Sequence, residues 1–154
     1  MTCRTLMMTP SATLTPEDTV ATALARLGNG IAPSLPMIDA DGRFLGLFGR
    51  REALALMLPR AASLGGDEEE LAWMDESLHD FGRRLTALAA QPVASHLVQP
   101  VTLGPDDGAA EAVRLLSRGA PLVPVVDGDG RLLGVIAAYS ILARATGRGA
   151  GGNG

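Results

Sequence analysis

The segment Pro36-Met37-Ile38-Asp39-Ala40-Asp41-Gly42-Arg43-Phe44-Leu45-Gly46-Leu47-Phe48 recurs as Pro124-Val125-Val126-Asp127-Gly128-Asp129-Gly130-Arg131-Leu132-Leu133-Gly134-Val135-Ile136. Internal repetition constrains architecture more than any single residue, because each copy must form the same unit and bury its apolar face against a neighbour. The match extends outward, with Leu14-Thr15-Pro16-Glu17-Asp18 answering Leu103-Gly104-Pro105-Asp106-Asp107, and Leu54-Ala55 answering Leu142-Ala143. Two copies of one supersecondary unit account for most of the chain.

Each copy contains an apolar run, an Asp-x-Asp-Gly turn and a second apolar run, which together predict a β-hairpin. Thr15 as N-cap, Pro16 at the first helical position and Asp18 three residues on predict a helix over 16–27, stopped by Gly28-Asn29-Gly30. Its buried face is expected to hold Val20, Ala23, Leu24 and Leu27. Strands over 35–38 and 44–48 and a helix over 50–58, ended by Pro59, complete the first copy. The second copy predicts a helix over 105–118, strands over 122–126 and 132–136, and a helix over 138–145. A short strand before each first helix, 12–14 and 101–103, makes each unit strand, helix, strand, strand, helix. A unit of about fifty residues can scarcely cover its own sheet. The expected fold is therefore α+β, two βαββα repeats in an intramolecular pseudo-twofold pair, with a cleft where they meet and a helical insert between them.

Composition narrows the chemistry. All 13 basic residues are arginine, so mechanisms that need a lysine ammonium are excluded. Between Arg60 and Gln91 seven acids face three arginines, and 3 − 7 = −4 is the whole formal net charge of the chain. The repeats are electrically balanced, which gives nucleic acid little hold. The longest apolar run, from Leu132 to Ala143, is too short to span a bilayer. The single Cys3 and the absence of signal-peptide organisation at the N-terminus make a reducing, cytoplasmic setting the expectation.

The insert over 60–91 is more than a spacer. Asp67 is placed to cap a helix whose first turn carries Glu68, Glu69 and Glu70, where carboxylates suit the positive helix end. Leu71, Met74, Leu78, Phe81, Leu85 and Leu88 then follow at alternating spacings of three and four, an amphipathic seam over 67–90. The seam packs either on its own repeats or on a second subunit; Trp73 lies off it. The glycine-rich stretch 147–154 is expected to be disordered.

Other motifs resolve into structural roles. The Asp-x-Asp-Gly segments lie between strands and lack the further ligands of an EF-hand, so they are turns. His79, His96 and Cys3 are too few and too dispersed for a transition-metal site. No nucleophile, base and orienting acid occur at a recognisable spacing, and no glycine-rich dinucleotide loop follows a strand. The chain is expected to be neither an enzyme nor the holder of a metal or resident cofactor.

Each unit thus carries a Pro-apolar-apolar-Asp strand, an Asp-Gly-Arg turn and a Gly-apolar-apolar strand entering a helix, with Met7-Met8-Thr9-Pro10 leading into the first. This arrangement resembles a tandem pair of CBS (cystathionine β-synthase) domains, over 3–59 and 92–146. The resemblance implies a regulatory module whose inter-repeat cleft takes an adenosine-type ligand such as AMP, ADP, ATP or S-adenosylmethionine. It also implies a homodimer and a protein partner that receives the signal. The family's site pattern is Gly, two apolar residues, Thr or Ser, two residues, then Asp, with the hydroxyl on phosphate and the carboxylate on the ribose hydroxyls. The first copy reads Gly46-Leu47-Phe48-Gly49-Arg50-Arg51-Glu52, and the second reads Gly134-Val135-Ile136-Ala137-Ala138-Tyr139-Ser140. Only the first retains an acid, with Arg50 or Arg51 available for phosphate. The expected ligand-binding residues are Thr13, Leu14, Leu35, Pro36, Gly46, Phe48, Arg51 and Glu52. The alternative is a ligand-free interaction module with a degenerate site, recognising its partner through the 67–90 helix.

Overall fold

The structure is a computed structural model that describes residues 1–56, 58 and 78–147. In chain order the elements are α1 (Cys3–Leu6), α2 (Val20–Asn29), β1 (Ser34–Ile38), β2 (Phe44–Gly49), α3 (Arg50–Leu56) and α4 (Leu78–Leu88). A 3₁₀ turn (Val93–His96) precedes α5 (Ala109–Ser117), β3 (Val123–Val126), β4 (Leu132–Ile136) and α6 (Ala138–Ala145).

The repeated hairpins form as expected. Strand β1 pairs antiparallel with β2, Ser34 opposite Gly49, and β3 pairs with β4, Val123 opposite Ile136. Both turns are closed by one carboxylate: Asp39 Oδ1 accepts from the Asp41 and Arg43 amides, each at 2.9 Å. Asp127 does the same for Asp129 and Arg131 at 2.9 and 3.0 Å. Gly42 and Gly130 both adopt φ +83°, a conformation that L side chains disfavour. The two hairpins also clasp each other at these turns, since Phe44 N–H donates to Gly130 O and Leu132 N–H to Gly42 O, each at 2.9 Å.

The starts of the first helices differ from expectation. Asp18 does accept the Thr15 amide at 2.7 Å, but this closes a separate turn, and α2 begins at Val20 with Thr19 Oγ1 capping the Thr22 amide at 3.3 Å. In the second copy Asp107 closes the same turn onto the Gly104 amide at 2.7 Å, and α5 starts only at Ala109. Capping chemistry is local and serves an isolated turn as well as a helix. The apolar face survives the shift, with Val20, Ala23 and Leu27 buried.

The expected first strands shrink to single parallel bridges, Leu14 with Met37 and Leu103 with Val125. Thr15-Pro16 and Gly104-Pro105 follow at once, and a proline has no N–H to continue a ladder. Helix α3 is described to Leu56 rather than 58.

Sequence order and spatial order part company at the lead-in segments. Cys3 and Leu6 of α1 pack not on the first repeat but into the core of the second, with Leu103, Ala112, Val125 and Ile136. Reciprocally, Val93 and Leu97 close the core of the first repeat around Leu14, Leu35, Met37 and Phe48. Each lead-in also adds a bridge to the other copy's hairpin, Met8 to Val135 and Val98 to Leu47. Gly46 and Gly134 make room for these crossings: a Cβ on Gly46 would sit 3.1 Å from Val98 O, and one on Gly134 would sit 3.0 Å from Met8 O. A third cluster of Leu47, Leu122, Val135 and Ala137 fills the seam between the repeats.

Of the insert, α4 ends against the first repeat: Val20 N–H donates to Gln91 O at 2.9 Å and Ala21 N–H to Ala89 O at 3.0 Å. Leu85 and Leu88 are half-buried. Leu71 and Met74 lie outside the described residues, as do the side chains of Leu78 and Phe81, the Asp67–Glu70 cap and most of the 147–154 tail. Among the described residues no helix is long and apolar enough to cross a membrane, and no group of His, Cys, Asp and Glu is arranged to hold a metal ion.

Candidate functional site in the cleft between the repeats

The pseudo-twofold relation generates two equivalent clefts, and the structure treats them oppositely. The first is open, with a volume of about 470 Å³, within the range of small-ligand pockets. Its first wall is Pro33, Leu47 and the start of α3, Arg50, Arg51 and Glu52. The crossing lead-in supplies Val98, Pro100 and Val101, and the end of α5 with its following loop supplies Leu115, Arg118 and Pro121. The second cleft holds about 10 Å³ between Met8, Ser11, Ser34, Leu122, Val135 and Tyr139. Tyr139 stands where Arg51 stands in the first copy, and its hydroxyl donates to Met8 Sδ at 3.7 Å across the opening.

Charge is distributed as unevenly as volume. Arg50, Arg51 and Arg118 line the first cleft against Glu52 alone, so 3 − 1 = +2 in a chain whose formal net charge is −4. Arg50 donates to Ile31 O at 3.3 Å. The guanidiniums of Arg51 and Arg118 make no hydrogen bond or ion pair among the described residues. By the repeat register, the counterparts of Arg50, Arg51 and Glu52 are Ala138, Tyr139 and Ser140, and in the helix register that sets Leu14 opposite Leu103 the counterpart of Arg118 is Asn29. Every charged group of the first cleft is replaced by a neutral one in the second.

Glu52 is already engaged. Its Oε2 accepts the Gly49 amide at 2.9 Å, capping α3. Ser140 Oγ occupies the equivalent place in the second copy, 3.4 Å from the Ala137 amide. Gly49, where the family pattern has a hydroxyl, is forced by its neighbours. A Cβ there would lie 2.8 Å from both Pro33 O and Ser34 Oγ. Ser34 Oγ is itself buried without a hydrogen-bond partner among the described residues.

Of the residues expected from sequence, Arg51 and Glu52 line the open cleft. The others do not. Leu14, Leu35 and Phe48 point into the first-repeat core, and Phe48 is fully buried there. The reason is strand alternation: in β2 Phe48 faces the core, so Leu47 takes the inter-repeat side. Pro36 is buried and offers its carbonyl to the Leu14 amide at 2.9 Å. Thr13 O accepts from Arg26 at 2.7 Å, and Gly46 is covered by Leu97, Val98 and Gln99. Sequence reasoning did not find Leu47, Val98, Val101, Leu115 and Arg118, which become neighbours only through the exchange of lead-ins and the approach of α5. The exposure of Val98 and Val101, 39% and 60%, follows from their position at the cleft mouth.

Two repeats that exchange lead-ins and meet at a cleft define a paired-repeat architecture. The CBS domain family profile matches residues 3–59 and 93–147, well over half of the chain, and the chain belongs to that family as a CBS pair. Among solved structures it is similar to the CBS-pair protein CBSX2 from Arabidopsis thaliana, at 21% identity over 95% of this chain and 94% of that one, with a TM-score of 0.72. A structure of CBSX2 in complex with AMP matches at 23% identity, covering 95% and 96% of the two chains, with a TM-score of 0.67. A CBS domain-containing protein of unknown function from Bacillus anthracis matches at 18% identity over 96% and 94%, TM-score 0.70. The comparison with curated proteins found no match.

Proposed function

We propose that this CBS pair is a non-catalytic regulatory module that binds an adenosine-type ligand, AMP, ADP, ATP or S-adenosylmethionine, in its first cleft and passes the change to a protein partner. The observation that carries this is the contrast between the two clefts: one open and cationic with aliphatic walls, the other closed by Tyr139 and neutral. The aliphatic side chains suit a purine face, and the unpaired guanidiniums suit phosphate. The AMP complex of CBSX2 supports the ligand class. A ligand in this cleft touches both repeats, so its binding free energy depends on how they are set relative to each other.

The module acts as a cytoplasmic homodimer in this proposal. Helices α3 and α6 leave the equivalent Leu54 and Leu142 exposed, 60% and 63%, which gives each chain two matching apolar faces for a twofold partner. One observation favours the ligand-free alternative: Glu52 is spent on the α3 cap and offers a ribose only its second oxygen.

Thermal melting of the full chain with each of the four ligands tests the proposal. Binding raises the stability by about 2.7 kcal/mol at a hundredfold excess over Kd. The shift should disappear in Arg51→Ala; the Arg51 guanidinium makes no hydrogen bond or ion pair among the described residues. Absence of any shift at millimolar concentration overturns the proposal.

A further inference from the structure

We infer that Met8 is a redox-modification site: a hydroperoxide converts its thioether to the sulfoxide, whose oxygen is received by the hydroxyls of Tyr139 and Ser34 in the closed cleft. The modification is independent of any ligand in the open cleft.

Met8 is held in place by its backbone. Its N–H donates to Val135 O and Val135 N–H donates to Met8 O, each at 2.9 Å, which pins it across the hairpin of the second repeat. The residue is half-buried, and its Sδ accepts the hydroxyl of Tyr139, itself 37% exposed, at 3.7 Å. A thioether is a weak acceptor, so this bond uses little of what the hydroxyl can give. Ser34 lines the same small void as Met8 and Tyr139. Ser34 is 1% exposed, and its Oγ has no hydrogen-bond partner among the described residues. Two hydroxyl donors therefore border one soft sulfur, and one of them lacks an acceptor. The void, about 10 Å³, is close to what a single water-sized oxygen needs.

Oxidation supplies that oxygen. A sulfur lone pair attacks the terminal oxygen of the hydroperoxide, the S–O bond forms as the O–O bond breaks, and the proton on the transferred oxygen passes to the departing alkoxide or hydroxide. Sulfur is oxidised by two electrons, and the hydroperoxide is reduced to the alcohol or to water. The product is polar and chiral, so only the epimer that directs its oxygen into the void gains both hydroxyls, and methionine sulfoxide reductases reverse the step. Ser34 belongs to β1 of the first repeat and Tyr139 to α6 of the second, so the new oxygen ties the two repeats together. At the open cleft the corresponding positions hold Leu122, Arg51 and Val98 for Ser34, Tyr139 and Met8, and neither the sulfur nor the hydroxyls recur.

The full chain treated with hydrogen peroxide, then mapped by peptide mass spectrometry and melted, tests the inference in wild type, Met8→Leu and Ser34→Ala. Met8 should oxidise about tenfold faster than its neighbour Met7, which packs on the second-repeat core. Its oxidation should raise the wild-type melting temperature by about 2–4 °C. The rise should be absent in Met8→Leu, which reports oxidation at every other methionine. In Ser34→Ala it should fall to about half or less, although the untreated variant, relieved of an unpartnered hydroxyl, melts no lower than wild type. A Met8 that resists peroxide, a melting temperature lowered by its oxidation, or a rise that Ser34→Ala leaves intact overturns the inference.

Discussion

Replacing Gly49 by alanine tests why the expected hydroxyl is missing from the first cleft. A Cβ at position 49 would lie 2.8 Å from Pro33 O, 2.8 Å from Ser34 Oγ and 3.0 Å from Ser34 Cβ. Ordinary carbon–carbon contacts are about 3.5–4.0 Å, so the new methyl overlaps its neighbours by roughly half an ångström or more. None of them yields easily. Pro33 O accepts the Arg50 amide at 3.1 Å, and Ser34 is the strand partner of Gly49. Overpacking of this kind costs about 1–3 kcal/mol, and the reduced freedom of the unfolded chain returns about 0.4–1 kcal/mol. The net destabilisation should be about 1–2 kcal/mol, a fall in melting temperature of roughly 2–8 °C for a chain of this size. Urea denaturation followed by circular dichroism measures it. Adding Ser34→Gly removes two of the three close atoms, so the double variant should show a coupling of about 1 kcal/mol relative to the sum of the singles. Gly49→Thr, which rebuilds the family hydroxyl, should suffer at least as much as the alanine. A Gly49→Ala protein as stable as wild type, or one whose cost is indifferent to Ser34→Gly, refutes the steric account.

Two further outcomes follow from the lead-in geometry and the Asp18 turn. Val93 is fully buried in the first-repeat core, although it stands at the start of the second repeat in sequence. Val93→Ala should therefore lower hydrogen-exchange protection in α2 and β1, with a global cost of about 1–3 kcal/mol; protection lost instead in α5 and β3 contradicts the exchange. Burial alone would raise the Asp18 carboxyl, but the Thr15 amide and the Arg26 guanidinium outweigh it and hold the group below its ordinary value. A depressed folded value means stability that is present above the unfolded value and lost as pH falls through the folded one. Asp18→Asn should cost about 1 kcal/mol at neutral pH, with the two proteins converging in urea stability as acid titrates the carboxylate; a gap that widens in acid contradicts the assignment.

The hairpins were legible because their signals are local. Asp39, Gly42, Asp127 and Gly130 each perform the turn chemistry that their types imply. The helix starts were displaced because Asp18 and Asp107 close turns that use the same chemistry as a helix cap. Alternation put Leu47 and Phe48 on opposite faces, yet nothing local says which face meets the second repeat, and Phe48 proved to be core. The exchange of lead-ins has no sequence signal of its own, so Val98 and Val101 could not be placed. Arg118 sits in no motif and enters the site only by tertiary approach. What did carry through from the repeat comparison was its asymmetry. The positions where the copies disagree, Arg51 and Glu52 against Tyr139 and Ser140, line the open cleft in one copy, and in the other Tyr139 closes the opening and Ser140 caps a helix.

The binding stoichiometry of ATP at saturation, by equilibrium dialysis against a known concentration of the full chain, tests the central claim most directly. One nucleotide per chain is the expected result, because only one of the two pseudo-equivalent clefts is open and cationic. Two per chain would contradict the closure by Tyr139, and none would contradict the ligand-sensing role altogether.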